Sequence, residues 1–377
     1  MRKNSRSLRV LAFEPYDCGS HRVVRESISR HSRHRWTWFT RPGRGWKWRI
    51  RLAAVELLDA ATAAGALDDP VDAIVATSLL SAADLRALLP APMRAIPIIL
   101  YMHENQAAYP LSEQLTVEPQ RDVHFAITNL TSILAADLVI WNSRWNRESF
   151  LTGMHMILRH ASAVDLKDWD RTVQEKSQVI WPPVEPPPPS GPQQLAAGTA
   201  PDRMTGGALH NPTTVVWPHR WEHDKGPDEL LEIATRFSEP LNLRWTILGW
   251  QFPTAPPALI EFERRFADRI DHIGFEPSRS RYWEHLTRCD WVLSTARQEF
   301  FGIAVAEALL AGCLPWLPNR LSYPELVPRE VGGLSPLHPP RNPDAARSAI
   351  ITHLQPALAA NAVARLDAAI ANLLGAS

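Results

Sequence analysis

The feature that most constrains this chain is an alternation of short apolar runs with helix-like stretches, which occurs twice. In the first half the apolar runs cover 8–15, 71–78, 96–102 and 137–143. In the second half they cover 213–219, 243–249, 270–275, 290–295 and 313–318. Short strands separated by helices indicate parallel sheets. The sequence therefore predicts an α/β protein with two doubly wound, Rossmann-like domains that face each other across a cleft.

A proline-rich segment separates the two halves. Residues 182–212 hold nine of the 33 prolines and show no periodic pattern. Such a composition is typical of a linker or an exposed excursion, and 377 residues are too many for one ordinary core. We therefore expect an N-terminal domain over 1–181, the linker over 182–212, a C-terminal domain over 213–340, and C-terminal helices over 341–377 that could pack back on the N-terminal domain.

Composition narrows the class of protein. No apolar run approaches the ~20 residues that a membrane span needs, and the N-terminus MRKNSRSLRVLAFEP turns acidic before a signal-peptide core can form. The three cysteines, Cys18, Cys289 and Cys313, lack CxxC spacing, which argues against a disulfide framework and a zinc site. We expect a cytoplasmic protein without membrane contact or an obligate protein partner.

A net charge of zero conceals a basic N-terminal region. Residues 1–51 hold 14 Lys and Arg against 3 Asp and Glu, which leaves 26 against 37 in the remainder. Within 33–51, arginines alternate with tryptophans, a pairing of phosphate-neutralising cations with stacking surfaces that is typical of proteins binding unpaired nucleic acid. The alternative is an arginine-rich edge whose tryptophans fill the core. The sequence alone leaves both interpretations open.

Polar side chains follow the predicted strands of the first half. The string YMHENQAAYP places His103, Glu104, Asn105 and Gln106 directly after strand 96–102. Ligands in parallel sheets bind at the carboxyl ends of the strands, so these four residues are candidates for a site, although a capped polar loop is the alternative.

The loop EPYDCGSH (14–21) is the second such position in the first half. Here Gly19 allows close backbone approach, and with Ser20 it begins a helix whose N-terminus attracts an anion. It does not follow the GxGxxG pattern of dinucleotide sites, so an ordinary turn is equally compatible with it.

The second half offers cations and paired glutamates at equivalent positions. The string WPHRWEHDKG contains Arg220 and Lys225, which suit a diphosphate, although an ion pair with Glu222 or Asp224 is the alternative. In STARQEFFGIAVAEALLAGCLP, Glu299 and Glu307 lie eight residues apart. The backbone N–H groups between them, at Phe300, Phe301 and Gly302, could hold phosphate or sugar oxygens, and Glu307 could accept hydrogen bonds from a ribose diol.

Together, Arg220, Lys225, Glu299 and Glu307 resemble the donor site of the retaining, two-Rossmann (GT-B) glycosyltransferases of family 4. Longer strings resemble the tRNA-queuosine alpha-mannosyltransferases in particular, over about residues 8–328; they are RPGRGWKWRIR, YMHENQAAYP, HFAITNLTSILAADLVIWNSRWNRESFL, HRWEHDKG, TARQEFFGIAVAEA and LSYPEL. The proline-rich segment and the C-terminal tail have no counterpart in that resemblance.

The resemblance implies an activity, the transfer of mannose from GDP-mannose to the cyclopentenediol of queuosine in a tRNA anticodon loop, with retention of configuration. It implies that Arg220 and Lys225 stabilise the leaving diphosphate, that Glu299 binds mannose hydroxyls and that Glu307 binds the guanosine ribose. Gly19 would let the first loop close on the phosphates. Since cationic side chains and helix N-termini neutralise the phosphates in such enzymes, we expect no metal and no other cofactor.

The acceptor residues follow from the same resemblance. His103 is similar to the histidine that family-4 enzymes place beside the donor sugar, where it orients groups rather than removes a proton, because the leaving phosphate itself is thought to take the acceptor's proton. Glu104, with Asn105 and Gln106, is the candidate for the acceptor diol. The candidates for docking the tRNA are Arg44, Trp46, Lys47, Trp48 and Arg49.

Two other functions remain open at this point. One is a family-4 glycosyltransferase with another sugar donor, or with a lipid or small-molecule acceptor, since nothing in the sequence reads guanine. The other is a non-catalytic RNA-binding protein on the same scaffold. Against the second stands the presence of Arg220, Lys225, Glu299 and Glu307 together, which an inactive site has no physical reason to keep.

Overall fold

The computed structural model describes residues 6–108, 123–161, 164–187, 212–250 and 255–375. The chain divides into two compact units. The first comprises Met1–Pro183 together with Ala359–Ser377, and the second comprises Val184–Leu358. Each unit is built on one parallel sheet, which confirms the predicted α/β class with two Rossmann-like sheets.

The sheet of the first unit has six strands in the order β2-β1-β3-β4-β5-β6. The strands are β1 Arg9–Asp17, β2 Arg35–Pro42, β3 Ala73–Thr77, β4 Ile98–Met102, β5 Leu138–Trp141 and β6 Ser177–Val179. The helices before residue 184 are α1 Gly19–His31, α2 Trp46–Ala63, α3 Ala82–Leu88, α4 Val123–Ala135, α5 Arg144–His160 and α6 Trp169–Glu175. All four strands predicted in this half are present.

The sequence prediction missed β2 and β6, which are the two edges of this sheet. Edge strands bury less of their surface, and no residue of β2 is fully buried. Its tryptophans Trp36 and Trp38 stack on one another with ring centroids 5.1 Å apart. The alternation of Trp with polar residues suggested a nucleic-acid site. Over 35–42 it instead reflects a half-exposed strand, in which successive side chains point to opposite faces of the sheet.

The sheet of the second unit has five strands in the order β11-β10-β7-β8-β9. The strands are β7 Thr213–Pro218, β8 Leu243–Leu248, β9 Ile270–Gly274, β10 Trp291–Leu293 and β11 Leu314–Trp316. The helices are α7 Pro227–Phe237, α8 Pro257–Arg265, α9 Arg279–Arg288, α10 Ile303–Leu310, α11 Tyr323–Leu326 and α12 Pro343–His353. The strand order reverses beside β7, which pairs with both β8 and β10. Such a switch point opens a crevice for a ligand.

The last helix, α13 (Ala359–Leu373), belongs to the first unit. It packs against α1, and the buried carboxylate of Asp367 accepts hydrogen bonds from Ser32 Oγ at 2.6 Å and from the backbone N–H of Arg33 at 2.8 Å. The C-terminal helices predicted over 341–377 are thus divided between the two units. Most of the predicted linker, 188–211, lies outside the described residues.

Among the residues described, none of the helices combines the length and the apolar character that crossing a membrane requires.

Candidate active site

A buried polar cluster lies at the carboxyl end of the first sheet. Glu14 is near the end of β1, and His103 comes directly after β4. The strand β3 lies between β1 and β4 in the sheet and pairs with both. His21 is in the first turn of α1. Its Nδ1 lies 3.2 Å from both carboxylate oxygens of Glu14, and His103 Nε2 lies 3.6 Å from Glu14 Oε2. The predicted residue His103 is therefore one of three partners.

The electrostatics of this cluster follow from its burial. Burial alone would raise the pKa of Glu14, but the charge of His21 and the polar contacts of both histidines outweigh it and hold the pKa well below its usual range. Burial and the charge of His21 lower the pKa of His103 to about 4, although Glu14 opposes the shift. At neutral pH the cluster therefore combines an ionised carboxylate with a neutral His103 imidazole.

The three side chains have the donor atoms of a metal site. One ligand atom from each lies within 4.8 Å of the other two. The rings of His21 and His103, however, stack with centroids 4.0 Å apart and an angle of 29° between their planes, instead of radiating from a common point. Stacked rings beside a shared carboxylate are the geometry of hydrogen bonding rather than of coordination, and the absence of a metal stays a prediction.

A small pocket adjoins the cluster between the sheet and α1. Glu14, His21 and His103 line it together with Thr77 and Tyr101. The hydroxyl groups of Thr77 and Tyr101 are buried and have no hydrogen-bond partner among the described residues. Two unpartnered hydroxyls beside three ionisable groups make this pocket suited to an ordered water molecule.

The loop after β4 uses its four predicted residues differently. Asn105 is fully buried, and its Nδ2 donates to Asn146 Oδ1 at 2.8 Å and to Ser149 Oγ at 3.1 Å. The amide group of Asn105 thus holds the loop against α5, and its contact with the acceptor stays a prediction. Glu104 and Gln106 are partly exposed and joined by a 3.0 Å hydrogen bond, so they remain candidates for the acceptor diol.

The loop between β1 and α1 presents an open helix N-terminus. Gly19 has φ of 49°, a left-handed conformation that favours glycine, and a Cβ there would meet no atom within 4 Å. Its role is thus the backbone conformation rather than the close packing of another segment. Both Gly19 and Ser20 are exposed, which leaves the turn accessible to a ligand.

The basic aromatic stretch, residues 44–49, includes the beginning of α2, which starts at Trp46 rather than at residue 49 as predicted. Trp48 is 73% exposed, and Arg44 and Lys47 are exposed beside it. Trp46 instead packs against Phe125, with ring centroids 5.0 Å apart. The stretch is therefore part surface and part core, in agreement with neither interpretation alone.

Arg49 is the least accessible cation of this stretch. Its guanidinium forms an ion pair with Glu56 on the same helix, and Arg41 binds the other carboxylate oxygen at 2.6 Å. Of the five residues predicted to dock the tRNA, Arg44, Lys47 and Trp48 are exposed, and their contact with tRNA stays a prediction.

In the second unit, Lys225 is buried at the centre of the predicted donor site. It follows β7, and its Nζ donates to the backbone oxygen of Gln298 at 2.8 Å. The same atom lies 3.1 Å from Asp224 Oδ2 and 3.5 Å from Glu299 Oε2. Burial opposes the charge, but Glu299 and Asp224 raise the pKa of Lys225 above its ordinary value. The tertiary fold thus joins Lys225 to Glu299, two residues that the sequence placed in separate motifs.

Arg220 lies at the same end of the sheet. Its guanidinium is 3.0 Å from Glu222 Oε2, and its side chain is 47% exposed. The preceding residue, His219, is buried and hydrogen-bonds through Nε2 to Ser294 Oγ at 2.8 Å. His219 therefore connects the end of β7 to the segment after β10 and fixes the backbone from which Arg220 projects.

The loop after β10 carries Glu299 and the predicted backbone donors. The side chains of Phe300 and Phe301 are buried in the core, so these residues can meet a donor only through their backbone. Gly302 precedes α10 with φ of 92°, where an L side chain would be strained. The helix α10 has eight residues, and its N-terminus lies at the carboxyl end of the sheet.

The second glutamate of the pair, Glu307, is buried in α10. Its carboxylate is bound by the guanidinium of Arg279, and Tyr282 Oη donates to it at 2.8 Å. Both partners lie in the first turns of α9, and Arg279 also lies 4.9 Å from the centre of the Tyr282 ring. Glu307, which was predicted to bind the ribose, therefore already has two protein partners.

Comparison with known proteins identifies the family. The family description "tRNA-queuosine alpha-mannosyltransferase N-terminal" matches residues 9–184, and "Glycosyl transferases group 1" matches residues 202–362. A tRNA-queuosine alpha-mannosyltransferase of Drosophila melanogaster is 31% identical over 323 residues, which cover 85% of this chain and 82% of that protein. The chain belongs to the tRNA-queuosine alpha-mannosyltransferase family. It is accordingly a glycosyltransferase.

Solved structures agree with the fold that this family assignment implies. Anabaena HepE in complex with UDP is 15% identical with a TM-score of 0.56, covering 98% of this chain and all of that one. The sucrose-phosphate synthase of Thermosynechococcus elongatus is 15% identical with a TM-score of 0.58, covering 97% of this chain and 95% of that one. Both likenesses concern the GT-B fold alone.

In this member of the alpha-mannosyltransferase family, four residues that contact the predicted site residues were not predicted from the sequence. Glu14 and His21 flank the loop that was noted for Gly19, and the charge of Glu14 inside an apolar strand was the available signal. Arg279 and Tyr282 gave no signal, because an arginine and a tyrosine three residues apart on a polar helix are common. Only the packing of α9 beside α10 reveals them.

Proposed function

We propose that this protein transfers mannose from GDP-mannose to the cyclopentenediol of queuosine in a tRNA anticodon loop, with retention of the alpha configuration. The observation that carries the proposal is the pairing of Lys225 with Glu299 at the carboxyl ends of β7 and β10, in a member of this family. The proposed setting is the cytoplasm.

The diphosphate would be held by two cations of different character. Lys225 is buried and charged, and Arg220 reaches outward from the same sheet end. Charge develops on the leaving diphosphate as the bond to the sugar breaks, and fixed cations in a poorly hydrated site stabilise it without reorganisation. With these cations and the N-terminus of α10 in place, the proposed reaction needs no divalent metal at the phosphates.

The sugar and the ribose would be held by the two glutamates. Glu299 is partly exposed, and its Oε2 is oriented by Lys225, which leaves the carboxylate able to accept bonds from mannose hydroxyls. Glu307 binds Arg279 and Tyr282, but an ionised carboxylate has about four acceptor positions and can accept a ribose hydroxyl as well. Arg279 and Tyr282 would then orient Glu307 for the ribose.

The acceptor would be bound by the first unit. Its polar cluster at His103 lies at the carboxyl end of the first sheet, and the exposed Arg44, Lys47 and Trp48 supply cations and one aromatic ring for a looped RNA. Since His103 is neutral at pH 7, we assign it an orienting role. The leaving phosphate takes the proton of the acceptor hydroxyl in the retaining reaction that we propose.

The test is to incubate the purified protein with GDP-mannose and tRNA that either contains or lacks queuosine, and to weigh the nucleosides after digestion. We expect one hexose on queuosine and on no other nucleoside. Glu299→Gln should lower the yield at least 100-fold. Glu263→Gln, which changes an exposed glutamate of α8, is the matched control and should leave the yield unchanged.

Three outcomes would separate the alternatives. Hexose transfer from UDP-sugars and not from GDP-mannose would overturn the donor. Slow hydrolysis of GDP-mannose without transfer to any nucleoside would keep the glycosyltransferase and overturn the acceptor. Binding of tRNA without binding or turnover of any nucleotide sugar would leave a non-catalytic RNA-binding protein.

A further inference from the structure

Glu14 lies beneath both histidines of the first unit, and its contacts fix which ring atoms face it. Its side chain is 1% exposed, and Oε1 accepts the backbone N–H of Tyr16 at 2.8 Å. The remaining acceptor positions face His21 Nδ1 at 3.2 Å and His103 Nε2 at 3.6 Å. An ionised carboxylate can only accept hydrogen bonds, so a ring nitrogen that donates to it carries a proton. His21 Nδ1 lies within hydrogen-bonding distance, and a small shift would bring His103 Nε2 within it as well.

The His103 ring has little freedom to turn away from this contact. His21 stacks on one side with ring centroids 4.0 Å apart, and Tyr101 lies on another side at 4.7 Å. The backbone oxygen of His103 accepts a 2.7 Å hydrogen bond from Asn142, which fixes the loop. With the ring plane held in this way, the edge that faces Glu14 decides the chemistry of the opposite edge.

A neutral imidazole has one N–H donor and one acceptor nitrogen, and the partner of one nitrogen sets the role of the other. We propose that Glu14 is a positioning residue that holds His103 as its Nε2–H tautomer, so that Nδ1 accepts a hydrogen bond from a hydroxyl of the sugar donor or of the acceptor diol. The nature of that hydroxyl rests on the proposed function, whereas the tautomer does not.

This assignment has a chemical consequence for selectivity. A nitrogen that can only accept binds hydroxyl groups, but it repels the unprotonated oxygens of a diphosphate. His103 would therefore discriminate in favour of a sugar or diol hydroxyl, and the phosphates would depend on Arg220 and Lys225. The 3.6 Å separation is longer than a hydrogen bond, and such contacts commonly shorten when substrate binds.

A bound metal ion would require the opposite tautomer. Coordination at Nε2 uses the lone pair of that nitrogen and places the ring proton on Nδ1. The proposal and a metal site therefore predict different ring protonation and different metal content, and one protein sample distinguishes them.

The decisive experiment is long-range ¹H–¹⁵N NMR of the ¹⁵N-labelled protein at pH 7, with the His103 signals assigned by their loss in His103→Asn. We expect a protonated Nε2 and an unprotonated Nδ1 in the wild type. In Glu14→Gln the signals should shift to a mixture of tautomers. Glu175→Gln, an exposed glutamate of α6, should leave them unchanged.

Kinetics supply the second measurement. Glu14→Gln should lower kcat for hexose transfer about 10–100-fold, the loss typical when an outer-shell partner that orients a histidine is removed, with KM for GDP-mannose changed by less than twofold. Glu14→Asp, which keeps the charge, should recover at least part of the loss. A variant that merely unfolds would lose donor binding and turnover together.

Three results would overturn the proposal. They are a protonated Nδ1 in the wild type, one equivalent of bound metal by elemental analysis, or unchanged His103 signals in Glu14→Gln. A wild-type protein that shows the expected tautomer and transfers no hexose would instead refute the proposed function. If Glu14→Gln does not fold, the wild-type tautomer still decides the matter.

Discussion

Individual side chains in this protein derive their roles from partners that are distant in the sequence. Lys225 and Glu299 are 74 residues apart in the sequence, yet Lys225 Nζ lies 3.5 Å from Glu299 Oε2. Asn105 shows the reverse, since its neighbours suggested a ligand site and its amide serves the loop. A polar residue at a strand end is therefore a candidate whose role depends on which groups the fold brings to it.

Replacing Lys225 with methionine should lower kcat/KM for hexose transfer at least 100-fold, because one fixed donor to a developing negative charge is typically worth that much. It should also destabilise the protein, since Asp224 and Glu299 lose their counter-charge. Lys167→Met, at an 82% exposed side chain, is the matched control. Equal activity of the two variants would contradict the assignment.

His219 should make the protein sensitive to acid. Burial and the nearby Lys225 lower the pKa of His219 to about 3, whereas in the unfolded chain it titrates near 6.5. The unfolded state therefore binds the proton first, and the free energy of unfolding falls as pH decreases from about 6.5 towards 3. From pH 6.5 to pH 5 this group alone should cost about 2 kcal/mol.

Urea unfolding at pH 7.5, 6 and 5 measures this dependence. His219→Gln, which cannot take up the proton, should show a flatter decline in stability over that range than the wild type. His103, with its pKa near 4, contributes to the same decline in both proteins. An equal slope in the two proteins would refute the attribution to His219.

Among the secondary-structure elements, α2 has two different ends. Its first turn exposes Lys47 and Trp48, whereas its later residues Leu57 and Ala61 are fully buried. The helix therefore anchors in the core and presents its N-terminus, where the macrodipole adds positive potential to the basic side chains. This combination favours a phosphate backbone as the partner of that end.

Trp48→Ala should weaken binding of queuosine-containing tRNA about 5–100-fold, the range expected when one base loses its stacking partner. Trp250→Ala, at a 52% exposed tryptophan of the second unit, is the control and should change the affinity little. Lys47→Ala should reduce the salt dependence of binding as well as the affinity. Fluorescence anisotropy with labelled tRNA at several salt concentrations measures both effects.

The last helix, α13, is attached to the first unit by buried apolar residues and by the carboxylate of Asp367. Asp367→Ala removes the acceptor for Ser32 Oγ and the Arg33 N–H, and it should lower the free energy of unfolding by about 1–3 kcal/mol. Asp59→Ala, at an exposed position of α2, is the control and should cost under 0.5 kcal/mol. Chemical denaturation followed by tryptophan fluorescence compares them.

Over the whole molecule, the proposed donor residues and the proposed acceptor residues belong to different units. The donor residues Arg220, Lys225, Glu299 and Glu307 all belong to the second unit. The polar cluster at His103 and the basic beginning of α2 belong to the first. Ligands of the two kinds should therefore leave separate traces on the chain.

Hydrogen exchange followed by mass spectrometry provides the test. GDP should slow exchange over 219–226 and 298–307, while tRNA should slow exchange over 44–51. Protection of 44–51 by GDP alone, with none in the second unit, would contradict the assignment of donor and acceptor. UDP serves as the control nucleotide and should protect less at equal concentration.

The sequence by itself determined the α/β class, because nine of the eleven strands among the described residues were predicted from short runs whose pattern is local. It also determined His103 and the charged residues of the second unit as site candidates, since each follows a strand and the carboxyl ends of parallel strands converge. It did not determine β2 and β6, which lie at sheet edges and lack a continuous apolar pattern.

Only the tertiary structure decided which of those candidates act together. Glu14 became the partner of His21 and His103 because β1, β4 and α1 meet at one sheet end, and Glu307 acquired Arg279 because α9 packs beside α10. The C-terminal helices likewise fall in different units because α13 packs against α1, where Asp367 binds Ser32. The hydrophobic periodicity of a segment indicates which of its own faces is buried. Which distant residues come into contact is decided only when the helices and strands pack together.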